Sequence, residues 1–288
     1  MKHYIVSILF LVFCFSCQDK QTEVDVCIYG GTASGVIAAY SVEKMGKSAL
    51  LIEPSDHLGG MTTGGLGYTD IGNKYTITGL SRLFYRKIGQ HYKKFEQWSF
   101  PPSVAQKVLD EYIDSSEFPV LKNHRLISAM KSGKRIRYVR LQRIGEEGTP
   151  EFITIRAKQF IDCSYEGDLM AAAGISYTVG REDNSIYNES LNGVQLLDKH
   201  QFPDSIDPYK EKGNPPSGLC WGISDHPLAS KGTGDSSVQA YNYRLCLTND
   251  QQLRRPFEKP ETYNPDQYEL LLRMLEKKEI GCSIHGIN

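Results

Sequence analysis

The chain has 288 residues, 40 % apolar and 23 % charged, a composition of folded domains that excludes a disordered or low-complexity chain. Its 33 Lys and Arg nearly balance 34 Asp and Glu, for a net charge of −1. Bulk electrostatics therefore point to no nucleic-acid partner and to no anionic membrane.

The first expected element is a leader. Lys2 gives a short positive start, Tyr4 to Phe15 is an apolar run too short to span a bilayer, and Ser16 precedes Cys17. This is the pattern of a lipoprotein signal peptide over residues 1–17, with Cys17 as the lipidated residue, Cys14 removed and Gln18 to Glu23 as a polar spacer. The expectation is an exported protein attached to a membrane by a lipid anchor rather than by a span. Of the remaining cysteines, Cys27, Cys163 and Cys246 sit in apolar runs and are expected as small buried hydrophobes. Beyond the leader, where Cys14 and Cys17 are spaced C-x-x-C, no such pair occurs, so no metal site is expected.

Val26 to Tyr29 reads as a buried parallel strand. The turn Gly30, Gly31, Thr32, Ala33, Ser34, Gly35 follows, then a helix carrying Val36, Ile37, Ala39 and Tyr40, then a second strand, Ala49 to Ile52, ending in the acid Glu53 and Pro54. Strand, Gly-rich turn, helix, strand and acid in that order describe a dinucleotide-binding βαβ unit. The helix N-terminus favours a pyrophosphate and the acid can accept hydrogen bonds from ribose hydroxyls. Such an acid favours FAD or NAD over NADP, whose 2′-phosphate it repels. The middle position of G-x-G-x-x-G holds Thr32, and Gly31 beside it is expected to supply the missing backbone freedom.

His57 to Asp70 is dense in glycine, including Gly59, Gly60, Gly64, Gly65 and Gly67, with Met61, Thr62 and Thr63 among them. Its place just after the acid marks a cofactor loop. Thr78 to His91 and Val104 to Ser115 show helical spacing. Phe118 to Leu121 and Arg125 to Ser128 read as short strands. Ile136 to Arg143 and Glu151 to Ala157 alternate with period two around a GEEG turn, which predicts an antiparallel hairpin. The Lys and Arg residues of Lys131 to Arg143 are expected on its solvated face.

Phe160 and Ile161 end a further strand, placing Asp162 at a strand end, where open α/β sheets make ligand contacts. A helix is expected over Leu169 to Ala173, with Asp162, Ser164 or Asp168 as its N-cap. Asn184 to Asp235 reads as loops around a cap. Val238 to Thr248 reads as a strand bearing Tyr241, Tyr243 and Arg244, and Asp266 to Lys278 as a helix. His57, His226 and His285 are acid/base candidates by residue type alone, and no catalytic residue is assigned.

The segments YGGTASG, EPSDHLGGMTTGGLG, FIDCSYEGDL and VQAYNYRLCLT resemble the FAD-dependent oxidoreductases that are common as exported proteins of Bacteroidetes-type bacteria. The resemblance covers Asp25 to about Ile284. It implies a glutathione-reductase-like α/β fold: a Rossmann-like FAD-binding domain with an antiparallel ribbon over 18–182, and part of a substrate or cap domain over 183–288. It also implies FAD as cofactor and a small-molecule substrate, with hydride passing from an organic compound to the flavin; the environment such bacteria exploit, and not the resemblance itself, suggests a sugar or sugar-derived alcohol as that compound. By that resemblance Gly30, Gly31, Thr32, Ala33, Ser34 and Gly35 hold the pyrophosphate, Glu53 and Pro54 flank the adenine ribose, Gly59, Gly60, Met61 and Thr62 line the flavin side, and Asp162 packs near the cofactor. Family members run to about twice this length, so the chain reads as C-terminally truncated. Two other readings stand beside this one. The first is a non-catalytic lipoprotein retaining a nucleotide-binding fold. The second, an NAD-dependent dehydrogenase, gives no use to the His57 to Asp70 loop.

Overall fold

The computed structural model describes residues 20–69, 71–145, 150–197, 202–239, 245 and 247–277. The leader with Cys14 and Cys17, most of the GEEG turn, Tyr241, Tyr243, Arg244, Cys246, Cys282 and His285 lie outside the described residues. The chain divides into two compact units, Met1–Tyr177 and Thr178–Asn288.

The first unit is an α/β sheet. Strands β1 (Lys20–Tyr29), β2 (Ala49–Ile52), β3 (Val120–Leu121), β4 (His124–Ser132), β5 (Arg135–Arg143) and β6 (Phe152–Asp162) take the order β3-β2-β1-β6-β5-β4. The pairs β1–β2, β1–β6 and β2–β3 are parallel, and β4–β5 and β5–β6 antiparallel. Helix α1 (Ala33–Lys44) crosses from β1 to β2, and α2 (Gly79–His91) and α3 (Pro102–Asp114) lie between β2 and β3. Burial on both sides explains the unbroken apolar runs of β1 and β2. Ile28, Val36, Leu51, Ile88, Val108 and Leu109 pack with the helices, while Cys27, Tyr29, Leu50, Ile52, Val139, Leu141 and Ile155 form a second core on the opposite face. Cys27 is fully buried, and burial pushes its thiol up to about 12. It is a core residue, as its apolar run predicts.

Three expectations change. The ribbon has three strands, not two: β4 extends to Ser132 and turns back at Gly133, whose φ of 60° suits glycine. The strand ending at Ile161 and the second arm of the hairpin are one element, β6, antiparallel to β5 at its start and parallel to β1 throughout. Because β6 begins so early, Lys20 to Glu23 find backbone partners at Ile153 to Arg156 and are strand rather than spacer. This leaves only Gln18 and Asp19 between Cys17 and the sheet.

Among its described residues the second unit has little regular structure. Arg181 and Asp235 pair by backbone bridge and through Nε to Oδ1 at 2.8 Å. Helix α5 (Glu269–Glu276) is pinned by Arg273, 4 % exposed, whose guanidinium donates to the carbonyls of Asp207, Tyr209 and Lys210 and to Glu269. The strand expected over Val238 to Thr248 is absent among its described residues.

Candidate nucleotide site

The site is assembled where β1, β2 and β6 end. The crossover from β1 through α1 runs one way to β2, while β6 lies on the other side of β1. This makes the end of β1 a topological switch point, the place where open α/β sheets receive ligands. Gly30 turns the chain with φ 100°, and its N–H donates to the Ile52 carbonyl at 2.8 Å. A Cβ there would lie 2.6 Å from the backbone of Cys163 and Ser164. A Cβ on Gly35 would collide with the Gly30 carbonyl oxygen. Both glycines are therefore required for the turn to close against the first turn of α1.

Thr32 has a structural reason to replace glycine at the middle position. It is the N-cap of α1: its hydroxyl accepts from the Gly35 N–H at 3.3 Å and donates to the Cys163 carbonyl at 3.0 Å. Gly31 does not supply backbone freedom in its place, since its φ is not left-handed. It is glycine for space, because a Cβ would sit 2.9 Å from that of Glu53.

Glu53 is 9 % exposed at the end of β2. One carboxylate oxygen accepts from the Gly31 N–H at 2.7 Å, and the other from the Ser55 N–H at 2.8 Å and hydroxyl at 2.7 Å. The acid thus ties the turn to the strand that follows it. A carboxylate offers about four acceptor positions, so three bonds leave room for a hydroxyl of a ligand. Pro54 follows, half-buried.

The glycine-rich loop lies against this turn. Gly59 donates to the Gly31 carbonyl at 2.7 Å and forms a parallel bridge with Thr32. Thr63, buried, donates to the Leu58 carbonyl at 2.7 Å and meets His57 Nε2 at 2.7 Å. The Met61 N–H donates to the Tyr165 hydroxyl at 2.7 Å, and a Cβ on Gly60 would strike that hydroxyl. Met61 is exposed. Thr62 borders a cleft of about 400 Å³ lined also by Ala33, Ser34, Ile37, Ser81 and Tyr85.

Asp162 ends β6 and organises the loop beyond it. One oxygen accepts from the Ser164 N–H at 3.0 Å and hydroxyl at 2.6 Å, the other from the Met170 N–H at 2.8 Å. The N-cap of the short helix α4 (Asp168–Ala172) is Gly167, with φ 73°, and not Asp162, Ser164 or Asp168. Ser164 and Asp162 act on that helix from a distance, through the amides of Asp168 and Met170. Burial, then the charges of Glu166 and Asp162, raise the Asp168 carboxyl above its usual range. Burial also raises the half-buried Cys163 thiol.

The residues expected from the sequence therefore meet: the Gly30–Gly35 turn, Glu53, the Gly59–Thr62 loop and the Asp162 loop share one end of the sheet. Ser55, Thr63 and Tyr165 also belong to the arrangement, and only their position inside the Gly-rich and FIDCSYEGDL segments could have marked them. His57 borders the loop, exposed, whereas His226 is exposed in the second unit, 3.6 Å from Asp225. Among the described residues no group of three or more His, Cys, Asp or Glu is placed to hold a metal.

The family model of the FAD dependent oxidoreductases matches residues 25–286. The chain belongs to this family. Its cofactor is accordingly FAD. No curated protein sequence matches it. Solved structures similar to part of the chain include THI4 of Thermovibrio ammonificans, at 18 % identity over 56 % of this chain and 67 % of that one, with a TM-score of 0.40. The flavin-dependent brominase Bmp2 is 15 % identical over 57 % and 44 %, with a TM-score of 0.41. L-proline dehydrogenase from P. horikoshii is 19 % identical over 51 % of this chain and 23 % of that one, with a TM-score of 0.34. The matched part of this FAD oxidoreductase thus spans under a quarter of the proline dehydrogenase chain.

Proposed function

We propose that this FAD-dependent oxidoreductase is an exported, lipid-anchored enzyme that oxidises an organic, carbohydrate-derived substrate, with Gly30 to Gly35, Glu53, Pro54, Gly59 to Thr62 and Asp162 as its cofactor site. The observation that carries the site is the closure of the Gly30–Gly35 turn on the N-terminus of α1, with buried Glu53 bonded to Gly31. The residues fit the nucleotide. The first turn of α1 offers backbone N–H groups and a favourable dipole to a pyrophosphate. Glu53 keeps acceptor capacity for a ribose hydroxyl. The flavin, when bound, accepts the electron pair that leaves the substrate as hydride.

The chain's own residues do the holding. Thr32 fixes the start of α1 and ties it to Cys163. Tyr165 holds the Gly60–Met61 backbone to the loop after β6, so the two loops bordering the site cannot separate without losing that bond. Export and anchoring at Cys17 are supported by the leader pattern of residues 1–17.

A second reading, nucleotide binding without turnover, is favoured by exposed apolar side chains in the second unit, among them Trp221, Leu253 and Phe257. One experiment separates the two. The FAD-loaded full chain is mixed anaerobically with a panel of mono- and oligosaccharides and their alcohols, and flavin absorbance is followed. Bleaching by one substrate class supports the enzyme. Retained FAD that no member of the panel bleaches favours the second reading.

A further inference from the structure

We propose that the outer face of the β4–β5–β6 ribbon is a docking surface for anionic phospholipid headgroups. This inference rests on the reading of Cys17 as a lipid anchor. Net charge is near zero, but its distribution is not even. Across the ribbon, from His124 to Asp162, stand nine Lys and Arg against four Asp and Glu, three of which lie in the connection between β5 and β6. The register puts part of this charge on one face. Arg125–Gln142–Phe152, Ser128–Arg140–Thr154 and Met130–Tyr138–Arg156 form three successive cross-strand rows. They point away from the buried Val139 and Leu141, which pack on the parallel sheet.

The arginines are held over apolar ground. Arg140 lies 4.4 Å from the Phe152 ring centroid, Arg156 lies 5.1 Å from that of Tyr138, and Arg125 donates to Gln142 at 2.8 Å. Met130 is 50 % exposed among them and Ile127 44 % exposed at the register shift of edge strand β4. Fixed guanidinium groups over aromatic rings, with exposed aliphatic side chains between them, suit a surface of phosphate headgroups above acyl chains.

The position of the tether selects the membrane over other polyanions. Lys20 pairs with Ile153, in the row next to Phe152, Gln142 and Arg125. Cys17 is three Cα steps before Lys20, a reach of at most about 11 Å. A lipid on Cys17 would therefore hold the start of β1 at the bilayer, about 15 Å across the sheet from Arg125 at ordinary strand spacing. The lipid would supply the attachment, and the basic face would set how the ribbon lies on the bilayer.

The test uses the mature chain from residue 17 with Cys17→Ser, produced without the leader, so that neither a lipid nor the apolar leader contributes to binding. It is sedimented with vesicles of neutral phosphatidylcholine, or of the same lipid with about 30 % phosphatidylglycerol. The expected result is binding to the anionic vesicles only, abolished by about 0.5 M salt. The triple reversal Arg125→Glu, Arg140→Glu, Arg156→Glu should weaken binding more than about tenfold, while Lys210→Glu with Lys231→Glu in the second unit leaves it unchanged. A single reversal, Arg125→Glu, with an expected loss of about fivefold or more, keeps the test open if the triple variant fails to fold. Equal binding to neutral and anionic vesicles would overturn the proposal, as would binding to soluble heparin but to neither vesicle. Mass analysis of the N-terminal peptide of the membrane-isolated protein tests the anchor separately. An unacylated Cys17 overturns the anchor, and anionic-vesicle binding by the Cys17→Ser chain then still supports the surface.

Discussion

Glu53→Gln is the most informative single change, because it keeps shape and burial while altering only what the two oxygens can accept. In the native site three donors converge on the carboxylate: the Gly31 N–H, the Ser55 N–H and the Ser55 hydroxyl, all within 2.8 Å. An amide has one acceptor oxygen. If that oxygen keeps the Gly31 N–H, the amide nitrogen faces the Ser55 N–H, two donors in opposition at a site 9 % exposed. The Ser55 hydroxyl can reverse and accept, but the Ser55 N–H cannot. The loss is one charge-assisted hydrogen bond, about 1.5–3 kcal/mol. Urea denaturation of the apoprotein, followed by far-UV ellipticity, should show an unfolding free energy lowered by that amount, seen as a lower midpoint at unchanged slope. FAD affinity should fall by about tenfold or more, since the turn is no longer fixed to β2. A destabilisation under about 0.5 kcal/mol, within the range of ordinary surface changes, would refute the claim that Glu53 is the bond holding the turn.

Three further outcomes are expected. Gly35→Ala places a methyl against the Gly30 carbonyl oxygen, so it should cost about 1–3 kcal/mol in urea denaturation and abolish FAD retention on gel filtration. Tyr165→Phe removes the acceptor of the Met61 N–H; a cost of about 0.5–1.5 kcal/mol should come with faster proteolysis in the Gly59–Gly67 loop than in wild type. The Asp25 carboxyl is held at about 2, against an ordinary 3.8, chiefly by its hydrogen bond from Lys158 and then by Ser48. A depressed folded-state value contributes stability above pH 3.8 that is lost as pH falls toward 2. Thermal melts of Asp25→Asn and wild type should therefore differ near neutral pH and converge at the acid end.

The βαβ unit was legible because each of its parts has a local cause: burial on both sheet faces gives the apolar runs, and the turn admits no Cβ at Gly30 or Gly35. Thr32 was readable as a departure from the motif but not as a helix cap, since its bond to Cys163 joins residues 131 apart in sequence. The same distance hides Tyr165, which reaches Met61 over 104 residues. The strand read over Arg125 to Ser128 is part of β4, but its full length and its place in the ribbon are hidden because β4 mixes half-buried and exposed positions, with register shifts that break its period of two. The cap of α4 was misassigned because three good capping side chains stand nearby, and the left-handed Gly167 supplies the cap position instead. In the second unit, turns and buried Arg273 replace regular periodicity, leaving little for pattern reading to find.

The central claim is that the Gly30–Gly35 turn, closed by Glu53, holds the nucleotide of FAD. Titration of the purified full chain with FAD, then gel filtration and an absorbance spectrum of the protein peak, tests it most directly, provided wild type, Glu53→Gln and Gly35→Ala are run together. Wild type should keep a flavin band near ~450 nm at close to one FAD per chain, Glu53→Gln a reduced fraction and Gly35→Ala none. Equal FAD retention by all three proteins would contradict the assignment and place the nucleotide elsewhere.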